Sequence, residues 1–385
     1  MAKNILIISS DHTGHGHKSI TDSLVERFAK YPDIKVHVID GFSMGGSFGL
    51  KMGKIYGPIT RNARYLWKLI WDISIKNPSF MRNLSRRSIH DKFLEVVDKI
   101  KPDIILAVHP GFVGSVIDIL EENHINIPLL SLVPDLISIS PLWADRRALY
   151  TLCPTQEALE RCMKFGVPRE RLKLVGFPVR EKFCSCTSEI AHGQQETESR
   201  LKCLIMSGGE GSGNMGRLAE TLLKNFDCSV KIITGRNIAL KKKLENLLSS
   251  RYPGRVEILG FTENVQDLMA DSHLAITRGS PNVMMEAVTC NVPLIVTGAL
   301  PGQEEENPTF LLKHNLGVVC TDKKKLSEVV SRLLENKWEK LNQIKESQRK
   351  YRNTDAASYI VNFIKDIDAG NDTSVQASYS ELNLA

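Results

Sequence analysis

Residues 4–31 read NILIISSDHTGHGHKSITDSLVERFAKY. An apolar run, residues 4–10, stops at a turn that carries two glycines and three histidines. Beyond it Ile20, Leu24 and Phe28 recur at i, i+4 and i+8, one face of a helix. Strand, glycine turn and helix in that order make the opening of a βα array, and the array continues outward from it. Residues 35–40, 103–108, 128–133, 148–153 and 172–175 read as strands, with helices over 112–122 and 155–165. Residues 185–199 are polar and lack apolar periodicity. After them the alternation restarts, with strands at 201–206, 230–234, 256–259, 274–277 and 294–297. Helices are expected at 323–335, 337–351 and 355–367. Strands this apolar are covered on both faces, as in parallel sheets. The expected fold is α/β, two doubly wound Rossmann-like domains facing a central cleft. The expected parts are an N-terminal domain over 1–184, a linker over 185–199 and a C-terminal domain over 200–354. A last helix and polar tail over 355–385 return toward the first domain. Ligands of such sheets bind beyond the carboxyl ends of the strands.

The chain has 385 residues, 42% hydrophobic and 24% charged, which excludes wholesale disorder, collagen and coiled coil. No apolar run reaches the roughly 18–20 residues that span a bilayer, and the N-terminus turns polar too soon for a signal peptide. A cytoplasmic protein is expected. The eight cysteines show neither zinc-finger spacing nor a disulfide framework. Net charge is +6, and its distribution matters more than its sum. Between residues 51 and 92 basic side chains far outnumber the acids Asp72 and Asp91, and Tyr56, Tyr65, Trp67, Trp71 and Phe80 are interleaved among them. A stretch of this kind, expected to be helical, suits nucleic acid or an anionic membrane surface.

Three segments carry chemistry. The first is the turn from Asp11 to His17. Its glycines, Gly14 and Gly16, let a ligand approach the backbone, and His17 at the helix start can act as a base or orient a hydroxyl. His12 and His15 read as solvated loop residues. The third glycine of a dinucleotide fingerprint is missing. The second is Ser207-Gly208-Gly209-Glu210-Gly211-Ser212-Gly213, which follows a strand and precedes a helix starting near Met215. It is not a Walker A motif, yet it can cradle a diphosphate on backbone N–H groups. The third runs from Arg278 to Ala287, with Ser280 as N-cap, Pro281 at the first helical position and Glu286 in the second turn. A carboxylate there can accept two ribose hydroxyls. Gln303 and Glu304 follow the next strand, where the hydroxyls of a sugar would be read.

Taken in order, these segments resemble the monogalactosyldiacylglycerol synthase and processive diacylglycerol glucosyltransferase family of GT-B glycosyltransferases. The peptidoglycan UDP-GlcNAc transferase is a more distant relative. The resemblance spans residues 5–364. It rests on Thr13 to His17, His109-Pro110, Pro154 to Glu157, Gly166 to Pro168, Gly176 to Arg180, Gly208 to Gly213, Gly260-Phe261, Glu286-Ala287 and Gly302 to Glu304. It implies that His17 stands beside the reacting hydroxyl and that Arg180 and residues 207–211 meet the donor diphosphate. Phe261 would meet uracil through its backbone. Glu286 would bind ribose, and Gln303, Glu304 and Asn307 the donor sugar. This sequence departs from the family at His15, at Pro134-Asp135 and at Pro281-Asn282-Val283.

Glycosyl transfer needs a base near the acceptor hydroxyl and charge stabilisation on the leaving UDP. His17 or Asp135 can supply the first, Arg180 and helix N-termini the second. No metal is demanded, and no cofactor is expected beyond UDP-glucose or UDP-galactose as donor substrate. His109 and Trp143 either line the acceptor side or pack. Arg61, Arg64, Trp67 and Trp71 are the expected membrane contacts. The implied activity is inverting transfer of a hexose to diacylglycerol at an anionic membrane surface, with no nucleic-acid partner. Competing readings are another UDP-sugar enzyme, such as a lipid-linked UDP-GlcNAc transferase or a UDP-GlcNAc 2-epimerase, a dehydrogenase, and a non-catalytic nucleotide-sugar binder.

Overall fold

The computed structural model describes residues 3–11, 16–186, 200–207 and 214–367; within its helices, nothing is said of the side chains of Phe48, Met52, Arg61 and Asn62. The chain divides into two compact units. Unit 1 comprises Met1–Arg180, Pro301–Gln303 and Asp355–Ala385; unit 2 comprises Glu181–Leu300 and Glu304–Thr354.

Unit 1 runs β1 (Lys3–Ser9), α1 (Gly16–Phe28), β2 (Ile34–Asp40), α2 (Gly41–Met44), α3 (Gly46–Asn62), α4 (Arg64–Lys76), α5 (Pro78–Ile100), β3 (Ile104–Ala107), α6 (Val113–Glu122), β4 (Leu129–Leu132), β5 (Tyr150–Cys153), α7 (Gln156–Lys164) and β6 (Leu172–Leu174). Its six strands are all parallel in the order β2-β1-β3-β4-β5-β6. Ile5 to Ile8 and Ile104 to Val108 have no exposed surface, because helices cover both faces of the sheet. The order reverses between β1 and β3, so their carboxyl ends flank a topological switch point.

The basic aromatic stretch forms α3, α4 and α5. The last is fastened to α6 by charge. Arg82 pairs with Asp118 at 3.1 Å, and Arg147 pairs with Asp118 at 2.8 Å and Asp145 at 2.7 Å. Arg86 pairs with Glu122. The Arg147 guanidinium holds the Asp145 carboxyl below the usual carboxylate range against the cost of burial.

Unit 2 runs α8 (Glu181–Cys184), β7 (Leu201–Met206), α9 (Met215–Asn225), β8 (Cys228–Ile233), α10 (Ile238–Leu244), β9 (Val256–Leu259), α11 (Val265–Ala270), β10 (Leu274–Thr277), α12 (Pro281–Thr289), β11 (Leu294–Val296), α13 (Asn307–Lys313), β12 (Gly317–Val319) and α14 (Leu326–Tyr351). The strands are again all parallel, in the order β12-β11-β10-β7-β8-β9. The switch point here lies between β7 and β10. The two helices expected at 323–335 and 337–351 correspond to α14, broken where Glu335 turns extended and Asn336, Lys337 and Trp338 take left-handed backbone angles. α15 (Ala356–Asp366) packs on α1 in unit 1, where the Lys3 ammonium donates to the carbonyls of Ile364 and Lys365 at 3.1 and 2.9 Å.

The boundary expected at residue 184 falls at Arg180. The reason is α8: Phe183 has no exposed surface and its carbonyl faces the Cys290 thiol at the end of α12, while the Cys184 thiol faces the Thr354 carbonyl. Most of the stretch read as a linker, residues 187–199, lies outside the described residues.

Candidate active site

In unit 1 the switch point gathers three aromatic rings. His17 stands in the first turn of α1, and His109 follows β3. Their ring centroids are 4.8 Å apart, and Trp143 lies 6.2 Å from His17. His109 is wedged between Phe42 and Phe112, each with its ring centroid 5.1 Å away. The His109 Nδ1 accepts a hydrogen bond from the Gly111 amide at 3.1 Å, which leaves the proton of the neutral ring on Nε2. The Gly111 carbonyl in turn accepts from the Ser85 hydroxyl of α5 and the Ser115 hydroxyl of α6, both at 2.7 Å. Thr21 donates to the His17 carbonyl at 2.9 Å, fixing the start of α1.

Burial is the main influence on both histidines. It lowers the His17 pKa from 6.5 to about 4, against a backbone hydrogen bond from the ring to Val108 that favours the charged ring. It lowers that of His109 too, helped by the nearby His17. Both rings are therefore neutral at physiological pH, and the buried Nδ1 of His17 has no hydrogen-bond partner among the described residues. A neutral imidazole with an unsatisfied nitrogen at a switch point can take a proton from a hydroxyl.

Asp135, the other base considered, is buried, and its Oδ2 accepts from the Trp143 indole at 3.1 Å. Trp143 has no exposed surface, so it acts here as a packing residue that holds Asp135. Of the two glycines expected on the acceptor side, Gly16 opens α1, whereas Gly14 lies outside the described residues.

In unit 2, the loops at the switch point carry the residues expected to bind the donor. Glu286 lies in the second turn of α12 and is buried. Ser280 takes the N-cap position and Pro281 the first helical position, but the Ser280 hydroxyl makes no capping hydrogen bond. Glu304 is buried, its Oε1 accepting from Arg278 Nη2 at 3.2 Å and its Oε2 lying 3.0 Å from Arg278 Nε. Oε2 also accepts from the Leu300 amide at 2.9 Å. The Asn307 side-chain amide donates to the Gly279 carbonyl at 2.8 Å. Phe261 is exposed after β9, under the Arg236 guanidinium at 5.0 Å. Ser207 ends the described part of its loop, and Gly208, Gly209 and Gly211 lie outside the described residues.

Arg180 and Gln303 are grouped with unit 1, where Gln303 accepts from the Tyr56 hydroxyl at 3.2 Å. The sequence reading assigned no role to Phe42, Arg236 or Arg278. Arg278 carried a signal, a cation at the last position before a helix-starting Gly-Ser-Pro. Phe42 and Arg236 carried none, because their partners are distant in the chain.

Two matches to known families cover the chain in succession. Residues 17–179 match the family described as monogalactosyldiacylglycerol (MGDG) synthase, and residues 203–366 match the glycosyltransferase family 28 C-terminal domain. The chain thus resembles monogalactosyldiacylglycerol synthases over its first part and family 28 glycosyltransferases over its second. It is a glycosyltransferase of GT-B fold. Among relatives of this family, it is 27% identical over 358 residues to a probable monogalactosyldiacylglycerol synthase 2 of Oryza sativa, covering 86% of this chain and 73% of that one. It is 26% identical over 377 residues to a processive diacylglycerol beta-glucosyltransferase of Bacillus cereus, covering 94% of each. Among solved structures, MurG of Acinetobacter baumannii superposes with a TM-score of 0.65 at 12% identity, over 95% of this chain and all of that one. At that identity the likeness concerns the fold.

Proposed function

We propose that this glycosyltransferase moves glucose or galactose from a UDP-sugar to diacylglycerol, with inversion, at the surface of an anionic membrane. The observation that carries the reading is His17: a buried, neutral imidazole at the switch point of unit 1, its Nδ1 without a partner among the described residues. The lipid acceptor is supported by the named activities of the relatives. In this mechanism the acceptor hydroxyl loses its proton to His17 as its oxygen attacks the anomeric carbon. The bond from that carbon to the β-phosphate oxygen breaks, and UDP leaves with the electron pair. One displacement on the face opposite the leaving group gives a β-glycoside. The glycine-rich loop after β7 and the N-terminus of α12 stabilise the diphosphate, and no step is routed through a metal or cofactor. Glu286 binds the ribose.

The membrane contact belongs to α3–α5, although its apolar face is not the one expected. Trp67 and Trp71 are half-buried, Trp67 packing against Tyr56 at 4.9 Å. The apolar side chains open to solvent are Leu66, Leu69 and Ile73 of α4, with Ile55, Tyr65, Phe80 and Leu84 beside them in the chain. Arg64 is exposed, and the Arg61 side chain lies outside the described residues.

Turnover of UDP-glucose and UDP-galactose, with and without diacylglycerol in anionic vesicles, tests the proposal. Lipid-dependent release of UDP with formation of a β-glycosyl lipid is expected. Hydrolysis or epimerisation without lipid dependence would refute it.

A further inference from the structure

We infer that Arg278 is a positioning residue for donor-sugar recognition, acting through Glu304; this rests on the reading of unit 2 as the UDP-sugar site. Two loops meet at the carboxyl ends of the neighbouring strands β10 and β11. One, residues 278–280, joins β10 to α12, the helix that carries Glu286. The other, residues 297–306, joins β11 to α13 and carries Glu304. The second loop is built on a flexible backbone, with Gly298 at φ +149° and Gly302 at φ +82°, values open to glycine and strained for other residues.

Polar contacts close that loop onto the first. The Thr297 amide donates to the Thr277 carbonyl at 2.9 Å, and the Gly279 amide to the Gly298 carbonyl at 2.8 Å. Asn307 reaches the Gly279 carbonyl. The charged contact here is Arg278 on Glu304, which lies against both carboxylate oxygens. Only 7% of the Glu304 side chain is exposed, so without its cation the carboxylate would be buried and uncompensated.

Glu304 therefore cannot swing freely toward a ligand. Its oxygens are already held by Arg278 and the Leu300 amide, and each presents its remaining lone pairs in a direction set by the guanidinium. Arg278 is in this sense part of the sugar specificity without touching the sugar. It also ties the loop that reads the hexose to the helix that reads the ribose.

The test compares UDP with UDP-hexose, because a role confined to overall stability affects the two alike. Arg278→Met, Arg278→Lys, Glu304→Gln and the exchanged pair Arg278→Glu with Glu304→Arg are compared with wild type. Kd for UDP comes from calorimetry, and KM and kcat for UDP-hexose from turnover. Arg278→Met should raise KM for UDP-hexose, or lower kcat, by roughly 10–100-fold, the scale of a small misplacement at a reacting centre. UDP affinity should change by less than about threefold, since those contacts lie elsewhere. Lysine, with a single point of contact, should rescue in part, and the exchanged pair should recover more than either of its single changes. Equal loss for UDP and UDP-hexose, or no loss for either, overturns the assignment, and the volume-conserving Glu304→Gln decides the matter if Arg278→Met does not fold. Failure of the wild-type protein to bind UDP would instead overturn the donor reading, and the assignment with it.

Discussion

His17 is a base only where its ring is neutral, and burial secures that. With its pKa at about 4, the ring stays unprotonated throughout the neutral range. The acidic limb of the rate profile contributed by His17 should therefore lie below the ordinary histidine value of 6.5. The same burial has a thermodynamic consequence. Between pH 4 and 6.5 the unfolded chain binds a proton at His17 that the native state refuses, so stability rises with pH across that window. The contribution is complete above 6.5 and lost as the pH falls to about 4; it is on the order of 3 kcal/mol. His109 acts in the same direction, so His17→Ala should reduce the acid sensitivity of urea unfolding without abolishing it. A variant as acid-sensitive as wild type would contradict the assignment of that shift to His17. In turnover, His17→Ala should cost roughly 10²–10⁴-fold while UDP affinity persists. Glu286 gives the complementary expectation. Removing a carboxylate that accepts two ribose hydroxyls forfeits about 1.5–3 kcal/mol, so Glu286→Ala should weaken UDP binding at least about tenfold by calorimetry.

At the scale of elements, the acceptor side depends on how α2, α5 and the loop after β3 meet. Gly41 of α2 is the tightest point. A methyl group there would fall 2.1 Å from the Phe112 ring, which packs on His109. Gly41→Ala should cost about 1–3 kcal/mol by overpacking and should lower turnover through His109, read as a drop in Tm together with a drop in kcat. Unchanged values of both would mean that the ring yields freely. This region also shows where local sequence stops being informative. β1 and α1 were legible because an apolar run and helical spacing agree within residues 4–31. α3–α5 were legible as helices but not in their orientation. In α4, Leu66, Leu69 and Ile73 lie on one side, and Trp67, Trp71 and Ser74 almost opposite, so spacing alone names two apolar faces. Which is buried is decided by Tyr56, a residue from another helix. Likewise Arg82 and Arg86 looked like part of a basic surface, yet their partners Asp118 and Glu122 come from α6, 36 residues on. The residues expected to bind the donor are named by motif, whereas the engagement of Glu304 by Arg278 is not, because an ion pair between two loops leaves no periodic trace.

At the scale of the molecule, the net charge of +6 and the three added helices of unit 1 bear on the same question, how a protein with no membrane-spanning helix among its described residues would reach a lipid acceptor. Basic residues fastened inside unit 1 are spent on folding; those exposed on α3–α5 include Lys51, Lys54, Arg64, Lys76 and Arg87. Near anionic lipid each adds about 1 kcal/mol, a contribution that salt screens. The apolar part falls to Leu66, Leu69 and Ile73, of which Leu69 is 55% exposed, with Tyr65 at 93%. Changing Leu66, Leu69 and Ile73 together to Ser removes apolar area already in water, so folding should be little affected. Vesicle binding should fall at least about tenfold, since a fully buried aliphatic side chain contributes roughly 1.5–3 kcal/mol. Trp67→Ala with Trp71→Ala should behave in the opposite way, lowering Tm by loss of packing and changing vesicle binding less. Co-sedimentation with anionic and neutral vesicles at low and high salt distinguishes the two faces. If the tryptophan pair releases the protein while the Leu-Leu-Ile change does not, the membrane meets the other side of α4, and the helix must turn over before it can bind.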